Sequence, residues 1–323
     1  MLLSMDDTLS AQGTSQHVPV LLEATMEYLK PEEGGLFLDG TFGGGGHTRA
    51  MLDSSPEVCV VAIDQDPEAE ERALALKKVY GDRFRFYSMN FADISQLEER
   101  RFDGILFDFG LSSFQLDEGK RGFSFRFDAP LDMRMNNREG ITASEFLETA
   151  SEADLIRSVR DYGEERFWRK VVAAILGGRG KGILERTQSF AELVESAIPR
   201  RAGFKERIHP ATRTFQGVRI AINDELKSIE AGLEEGFRRL KVNSVMAAIS
   251  FHSLEDRIVK RFFRKLSGRP EHRRDDRLQG ERQVLGSMIA TKAVKADIEE
   301  IRANARSRSA RMRGIKKLVK GVV

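Results

Sequence analysis

The stretch Leu36-Phe37-Leu38-Asp39-Gly40-Thr41-Phe42-Gly43-Gly44-Gly45-Gly46-His47 constrains the fold of this chain more than any other. An apolar run stops at a carboxylate and breaks into glycines. A strand must turn there, and its backbone N–H groups can approach a ligand with no Cβ in the way. A second apolar run, Val58-Cys59-Val60-Val61-Ala62-Ile63, ends at Asp64, about twenty residues past the glycines, the spacing at which an acid closing the second strand of a βαβ unit accepts from ribose hydroxyls. The two features together predict a pocket for a nucleotide-like cofactor. The dinucleotide fingerprint G-x-G-x-x-G is not met, because the sixth position counted from Gly43 or Gly44 is Thr48 or Arg49. That argues against a nicotinamide oxidoreductase.

Further strands are expected over residues 35–40, 57–64, 84–89 and 102–107, the last ending at Asp108, with helices within 18–30 and over 67–80. Such alternation predicts an α/β fold with a doubly wound parallel sheet and a ligand site at the carboxyl ends of its strands. Asp39, Asp64, Asn90 and Asp108 all fall at those ends. After Asp108 the alternation lapses: helical spacing at 143–157, at 164–176 and in a long amphipathic stretch at 218–240 precedes a fifth strand at 244–250. The economical reading is a discontinuous Rossmann-like domain, residues 1–117 and 216–323, carrying a mainly helical insertion, residues 118–215. An insertion at the carboxyl edge is well placed to recognise a substrate.

Composition narrows the class. With 323 residues, 41% of them hydrophobic and 32% charged, the chain can build both a full core and a smaller second domain. No apolar run approaches the ~20 residues needed to span a bilayer. Residues 1–16 carry Asp6 and Asp7 in place of a signal peptide's basic start, so the expectation is a cytoplasmic protein with no membrane partner. The single cysteine, Cys59, excludes a disulfide framework and a multi-cysteine zinc site, and its apolar surroundings predict a buried, inert thiol. Five histidines without ligand spacing, and acids at separate strand ends, give no reason to expect a metal. Net charge is only +2, yet Arg302, Arg306, Arg308, Arg311, Arg313, Lys316, Lys317 and Lys320 crowd a terminal run without an acid. Such a run suits either a polyanionic partner or a solvated tail.

Asp39-x-Thr41-x-Gly43-x-Gly45 is similar to the first motif of class I S-adenosylmethionine methyltransferases, with Thr41 where the first glycine usually stands. A narrower likeness rests on His17-Val18-Pro19-Val20-Leu21-Leu22, Asp108-Phe109-Gly110-Leu111-Ser112-Ser113-x-Gln115-Leu116-Asp117, Arg121-Gly122-Phe123-Ser124-Phe125 continuing to Pro130-Leu131-Asp132-Met133-Arg134-Met135, and Ser250-Phe251-His252-Ser253-Leu254-Glu255-Asp256-Arg257. With His209 to Gln216 and Arg306 to Ala310, these motifs resemble, in this order, the family of bacterial 16S rRNA cytosine-N4 methyltransferases. The resemblance implies a class I methyltransferase fold, S-adenosylmethionine as cofactor, and methylation of a decoding-centre cytidine of 16S rRNA in the small ribosomal subunit. Carried over, it places cofactor contacts at Gly44, Gly45, Gly46 and His47 at the methionine end, Asp64 at the ribose, Phe91 near the adenine, and at Asp108 and Gln115. Read alone, Phe91 is equally a core aromatic, and His47 a capping or surface histidine.

Methylating C5 of cytosine requires a thiolate nucleophile, and the one thiol is expected inside a strand. Transfer to an exocyclic amine requires only alignment and a proton acceptor. Asp108 is the candidate for orienting the amine or donor, and His252 for relaying the proton or touching the base, unless it merely caps a helix. The Asp/Asn/Ser-Pro-Pro-aromatic turn common in amino-methyltransferases, DNA cytosine-N4 enzymes among them, is here Asp108-Phe109-Gly110-Leu111. For RNA, Arg121, Phe123, Phe125 and Arg126 interleave charge with aromatic faces, as base stacking and phosphate contact require. The same alternation fits a half-buried strand. Arg306, Arg308 and Arg311 are the further phosphate candidates. A different class, an assembly factor that binds RNA and keeps a cofactor fold without catalysis, stays open.

Overall fold

The computed structural model describes residues 19–117, 119–199 and 209–319. His17 and Val18 of the first motif, and Lys320, lie outside the described residues. Strands β1 (Gly35–Asp39), β2 (Val58–Asp64), β3 (Phe84–Ser88), β4 (Phe102–Asp108), β5 (Leu240–Ser250), β6 (Gly286–Met288) and β7 (Arg311–Lys317) form one sheet in the order 3-2-1-4-5-7-6. β1 to β5 run parallel, and β7 is antiparallel to both of its neighbours. The first four strands lie within a residue of expectation at each end, whereas β5 starts four residues early, at Leu240.

Helices α1 (Leu22–Leu29), α2 (Gly46–Ser54) and α3 (Ala69–Tyr80) accompany the first strands. Between β4 and β5 come α4 (Ser113–Asp117), α5 (Ala143–Thr149), α6 (Glu152–Ile156), α7 (Trp168–Gly178), α8 (Thr187–Ala197), α9 (Ala211–Asn223) and α10 (Glu225–Arg239). Helices α11 (Ser253–Leu266) and α12 (Ile298–Ala303) follow β5. Successive strand side chains point to opposite faces, so Phe37, Val60 and Leu106 join one core layer with α2 and α3. Leu38, Val61 and Phe107 join another with α10 and α11. Covered on both faces, the strands read as continuous apolar runs rather than alternating ones. A third core, with Leu147, Val171, Phe190 and Phe215, holds together the helices after β4 and includes Val218 of α9.

Three expectations are corrected. The helix anticipated over 218–240 is two helices, broken at Asp224, whose φ is 50°. Upstream of the break, Gly217 lets α9 lie against residues 157–163, because a Cβ there would fall 2.1 Å from the Ser158 carbonyl oxygen. Cys59 is half-buried, in register with half-buried Leu36 at the amino edge of the sheet, where helical cover thins. The basic terminal run is not a solvated tail, since Arg311–Lys317 is a strand inside the sheet. Buried Arg313 is paired with Asp256 of α11, and buried Lys317 donates to the Phe237 and Arg238 carbonyls of α10.

Candidate active site

β1 ends at Asp39, and Thr41 to Gly45 turn the chain into α2. Gly43 and Gly45 hold φ of 51° and 74°, which glycine adopts without strain. Buried Asp39 braces the turn: its Oδ1 accepts the Thr41 N–H at 3.1 Å and its Oδ2 the Thr48 hydroxyl at 2.7 Å. Half-buried Asp64 accepts the Gly43 N–H at 2.7 Å and the Asp66 N–H at 2.8 Å, which ties the end of β2 to the glycine turn. Burial pushes both carboxyls up to about 6. Arg72 donates Nε to the Gly43 carbonyl at 2.9 Å and lies 4.4 Å from the centroid of Phe114. The Phe114 ring covers Gly44, where a Cβ would fall 2.6 Å from it.

β4 carries Asp108 to the same edge. Its N–H donates to Thr41 Oγ1 at 2.6 Å, so the threonine standing at a usual glycine position pins β4 to the turn. Asp108 Oδ2 lies 3.8 Å from His47 Nδ1, and its Oδ1 is buried with no hydrogen-bond partner among the described residues. Burial, with the charges of Asp39 and Glu255 adding to it, holds the Asp108 carboxyl well above its ordinary value. His47 is buried as well, 3.1 Å from the Val20 carbonyl through Nε2, and burial pulls it down to about 4. A carbonyl can only accept, so Nε2 carries the hydrogen and the bare Nδ1 faces Asp108. His47 is therefore a neutral interior group, neither a cap nor a surface histidine.

Past β4 the chain is latched over the end of β2. Buried Gln115 donates Nε2 to Asp66 Oδ2 at 2.8 Å, and Arg121 meets the same carboxylate at 3.1 and 3.2 Å. The other Arg121 nitrogen donates to the Arg134 and Met135 carbonyls, each at 3.0 Å. This corrects the reading of Arg121 and Phe123 as an RNA-facing pair. Both are buried, and Asp66, an acid distant in sequence, pairs with the guanidinium internally. Phe125 is half-buried against His209 and Phe215, at ring distances of 4.6 and 5.0 Å, and Arg126 is exposed. Phe91 follows β3, half-buried beside Phe107 and Phe109 at 5.8 and 5.6 Å. Asn90 fixes its approach by accepting from the Ala92 N–H at 2.8 Å and donating to Gln65 at 2.9 Å.

Just past β5, His252 caps α11. Glu255 Oε2 accepts the Phe251 and His252 N–H groups at 2.7 and 3.2 Å. His252 Nε2 and Glu255 Oε1 lie 3.1 Å apart, misaligned for a hydrogen bond. Burial pushes the Glu255 carboxyl up, but the adjoining His252 and Arg219 outweigh it and hold the group below its ordinary value. The ligand atoms of Glu225, His252 and Glu255 fall within 4.8 Å of one another, a metal-like grouping that sequence spacing does not reveal. Arg219 already grips both Glu225 oxygens, at 2.8 and 2.9 Å, and supplies the cation there. Of these residues His252 was legible in the sequence, as a proton relay, base contact or helix cap, whereas Glu255 stood there only as part of the same motif. Asp66 and Arg219 gave no sequence signal, and Thr41 none beyond its place in the glycine motif.

Glycines with their N–H groups at a strand end, an acid closing the next strand and a dry, unpartnered carboxyl oxygen at the end of β4 fit a methyl-donor cofactor of nucleoside type. The chain belongs to the MraW methylase family, whose model matches residues 14–318, and S-adenosylmethionine is its cofactor. It is 44% identical over 308 residues to the Ribosomal RNA small subunit methyltransferase H of Geotalea uraniireducens, covering 94% of this chain and 98% of that relative. It is 43% identical over 322 residues to the protein of the same name from Geobacter sulfurreducens, covering 94% of this chain and all, 100%, of the relative.

Proposed function

We propose that this chain methylates the exocyclic N4 amine of a decoding-centre cytidine in 16S rRNA of the small ribosomal subunit, in the cytoplasm. The observation that carries the choice of an amine is the end of β4. Asp108 stands there with a buried, unpartnered Oδ1 beside neutral His47. The lone cysteine lies at the other end of β2, about 16 Å of strand from Asp64 at the usual rise per residue, too far for the thiolate attack that C5 methylation requires. The rRNA substrate follows the printed name of relatives that match this chain over nearly its whole length.

When bound, S-adenosylmethionine supplies an electrophilic methyl group. Gly44, Gly45, Gly46 and His47 would hold its methionine end, Asp64 would accept from its ribose, Phe91 would lie near the adenine, and Asp108 and Gln115 would make further contacts. Asp108 accepts a hydrogen bond from the target amine through its free Oδ1 and so fixes the lone pair in line. His252, on the next strand end, is the proposed proton acceptor or base contact. The segment 118–215 is the proposed recognition domain, with exposed Arg126 at its surface.

Labelled S-adenosylmethionine offered with 16S rRNA, free and in small subunits lacking the modification, should yield N4-methylcytidine by nucleoside mass spectrometry. Asp108→Ala should lower turnover by about 100-fold at saturating cofactor, the scale of a lost positioned polar group. Cofactor binding without transfer to either substrate would favour the non-catalytic assembly factor.

A further inference from the structure

The inward face of α11 carries Leu254, Val259, Phe263 and Leu266, together with both of the helix's acids, Glu255 and Asp256. Its outward face is left with Arg257, Lys260, Arg261, Arg264 and Lys265 and no acid at all. Arg257 pairs with Glu164 at 3.1 Å, and Arg264 donates to the Pro270 carbonyl. Lys260, Arg261 and Lys265 have no side-chain partner among the described residues.

The chain continues the pattern past the helix. Arg269, Arg273 and Arg274 are exposed, their guanidinium groups without a partner among the described residues, while Asp275 is drawn inward by Arg277 and Arg282 at 2.9 and 2.8 Å. Glu271 is taken by Arg277 at 2.6 Å, which leaves Asp276 and, farther along, Glu281 as exposed acids before β6. A concavity of about 420 Å³ lies between Lys260, Arg264, His272 and Arg273, with Glu271 and Asp275 on its wall. An ordinary solvated helix face looks different. On α10, Lys227 pairs with Asp224 at 2.9 Å and Arg238 with Glu235 at 3.4 Å.

Position adds to charge. α11 starts three residues after β5 ends, at the edge that carries Asp108 and His252, and its cations run back from that edge over about 18 Å at 1.5 Å per residue. A strand of nucleic acid with one base in the site can lay its flanking phosphates along such a stripe. Phosphate contacts of this kind position a substrate without reading its sequence.

We propose that the outer face of α11, with Arg269, Arg273 and Arg274, holds the phosphate backbone of the rRNA flanking the target nucleotide. This rests on the rRNA methylation proposed above. The test is the triple variant K260E/R261E/K265E in the full chain, read by affinity for protein-free 16S rRNA across salt concentrations, by cofactor affinity, and by methyl transfer. The variant should bind rRNA at least tenfold more weakly. Its salt slope should fall by about 2, three phosphate contacts at roughly 0.7 each on single-stranded RNA. Cofactor affinity, which also reports folding, should match wild type, as should turnover at saturating RNA. A K78E/R100E variant, which reverses exposed cations elsewhere, should keep wild-type RNA affinity. Unchanged affinity and slope in the triple variant, beside a wild type that methylates rRNA, would overturn the surface. Weakening on assembled subunits alone would overturn it too, in favour of a ribosomal protein as the partner. Wild type that transfers no methyl group would instead sink the underlying methylation reading.

Discussion

Residues 257–274 and residues 302–317 read alike in the sequence, each dense in arginine and lysine. In the structure they part ways. The first presents its cations to solvent from one side of α11, with the helix's acids turned inward. The second threads β7 between β5 and β6, where Arg313 meets Asp256 at 2.7 Å and Lys317 donates to the carbonyls of Phe237 and Arg238 at 2.7 and 3.1 Å. The same Asp256 links the two: by facing inward it neutralises β7 and leaves the outside of α11 without a negative charge. Charge density in a sequence says how much charge must be placed, whereas the apolar period around it says on which side.

The largest effect should come from ending the chain after Ala303. A tail that only touches RNA could be lost with weaker, less salt-sensitive binding as the sole consequence. Removing β7 takes away a strand paired on both sides together with buried Met312 and Ile315, so the truncated chain should lose its cooperative melt, as circular dichroism would register. A folded truncation with intact cofactor affinity would break the comparison.

Arg313→Ala comes next. It strands Asp256 in the interior and should cost about 3–5 kcal/mol, the usual range for half of a buried pair, measured by urea unfolding. The pH dependence carries a definite sign. Burial raises the Asp256 carboxyl, but Arg313 and Arg311 overcome this and hold it below its ordinary value. The pair's contribution is therefore complete above the unfolded value of about 3.9 and is lost as pH falls through the lower folded value. In the variant only the half-exposed Arg311 still opposes burial, so protonation relieves Asp256 more readily than in the wild type. The gap between the two proteins should narrow as pH drops below about 4, and a gap that stays constant would mean that the pair is not formed. A smaller loss, about 1–3 kcal/mol, is expected for Lys317→Met, which takes the Lys317 donor from the Phe237 carbonyl while the Arg238 carbonyl keeps that of Arg101 at 3.1 Å.

The cofactor half of the site was legible because its chemistry is local. Asp39, the glycines and Asp64 sit where two apolar runs end, and strand ends are what periodicity finds best. Asn90 and Asp108 were legible for the same reason. What escaped the sequence depends on distant partners. Arg121 looked like an RNA contact until Asp66 claimed it, and Arg219, Glu225 and Glu255 converge only because α9, α10 and α11 pack together. β6 is three residues long, too short to show a period. β7 was hidden by charges that only Asp256 and two carbonyls make admissible in a sheet. The class of fold could therefore be read from sequence, but which of its cations face solvent could not.

Arg311 sits on the boundary of the comparison and should show the smallest effect. Its side chain is 48% exposed and 3.2 Å from Asp256 Oδ2, outside the tighter Arg313 pair. A half-exposed third partner contributes little once the buried pair is made, so Arg311→Ala should change stability by less than about 1 kcal/mol. If β7 is wholly a structural strand, the same variant keeps the wild-type salt slope for rRNA binding. A slope lower by about 1, the signature of one lost phosphate contact, would instead move Arg311 onto the RNA surface. The functional boundary would then run through the ion pair around Asp256 rather than along the outer face of α11.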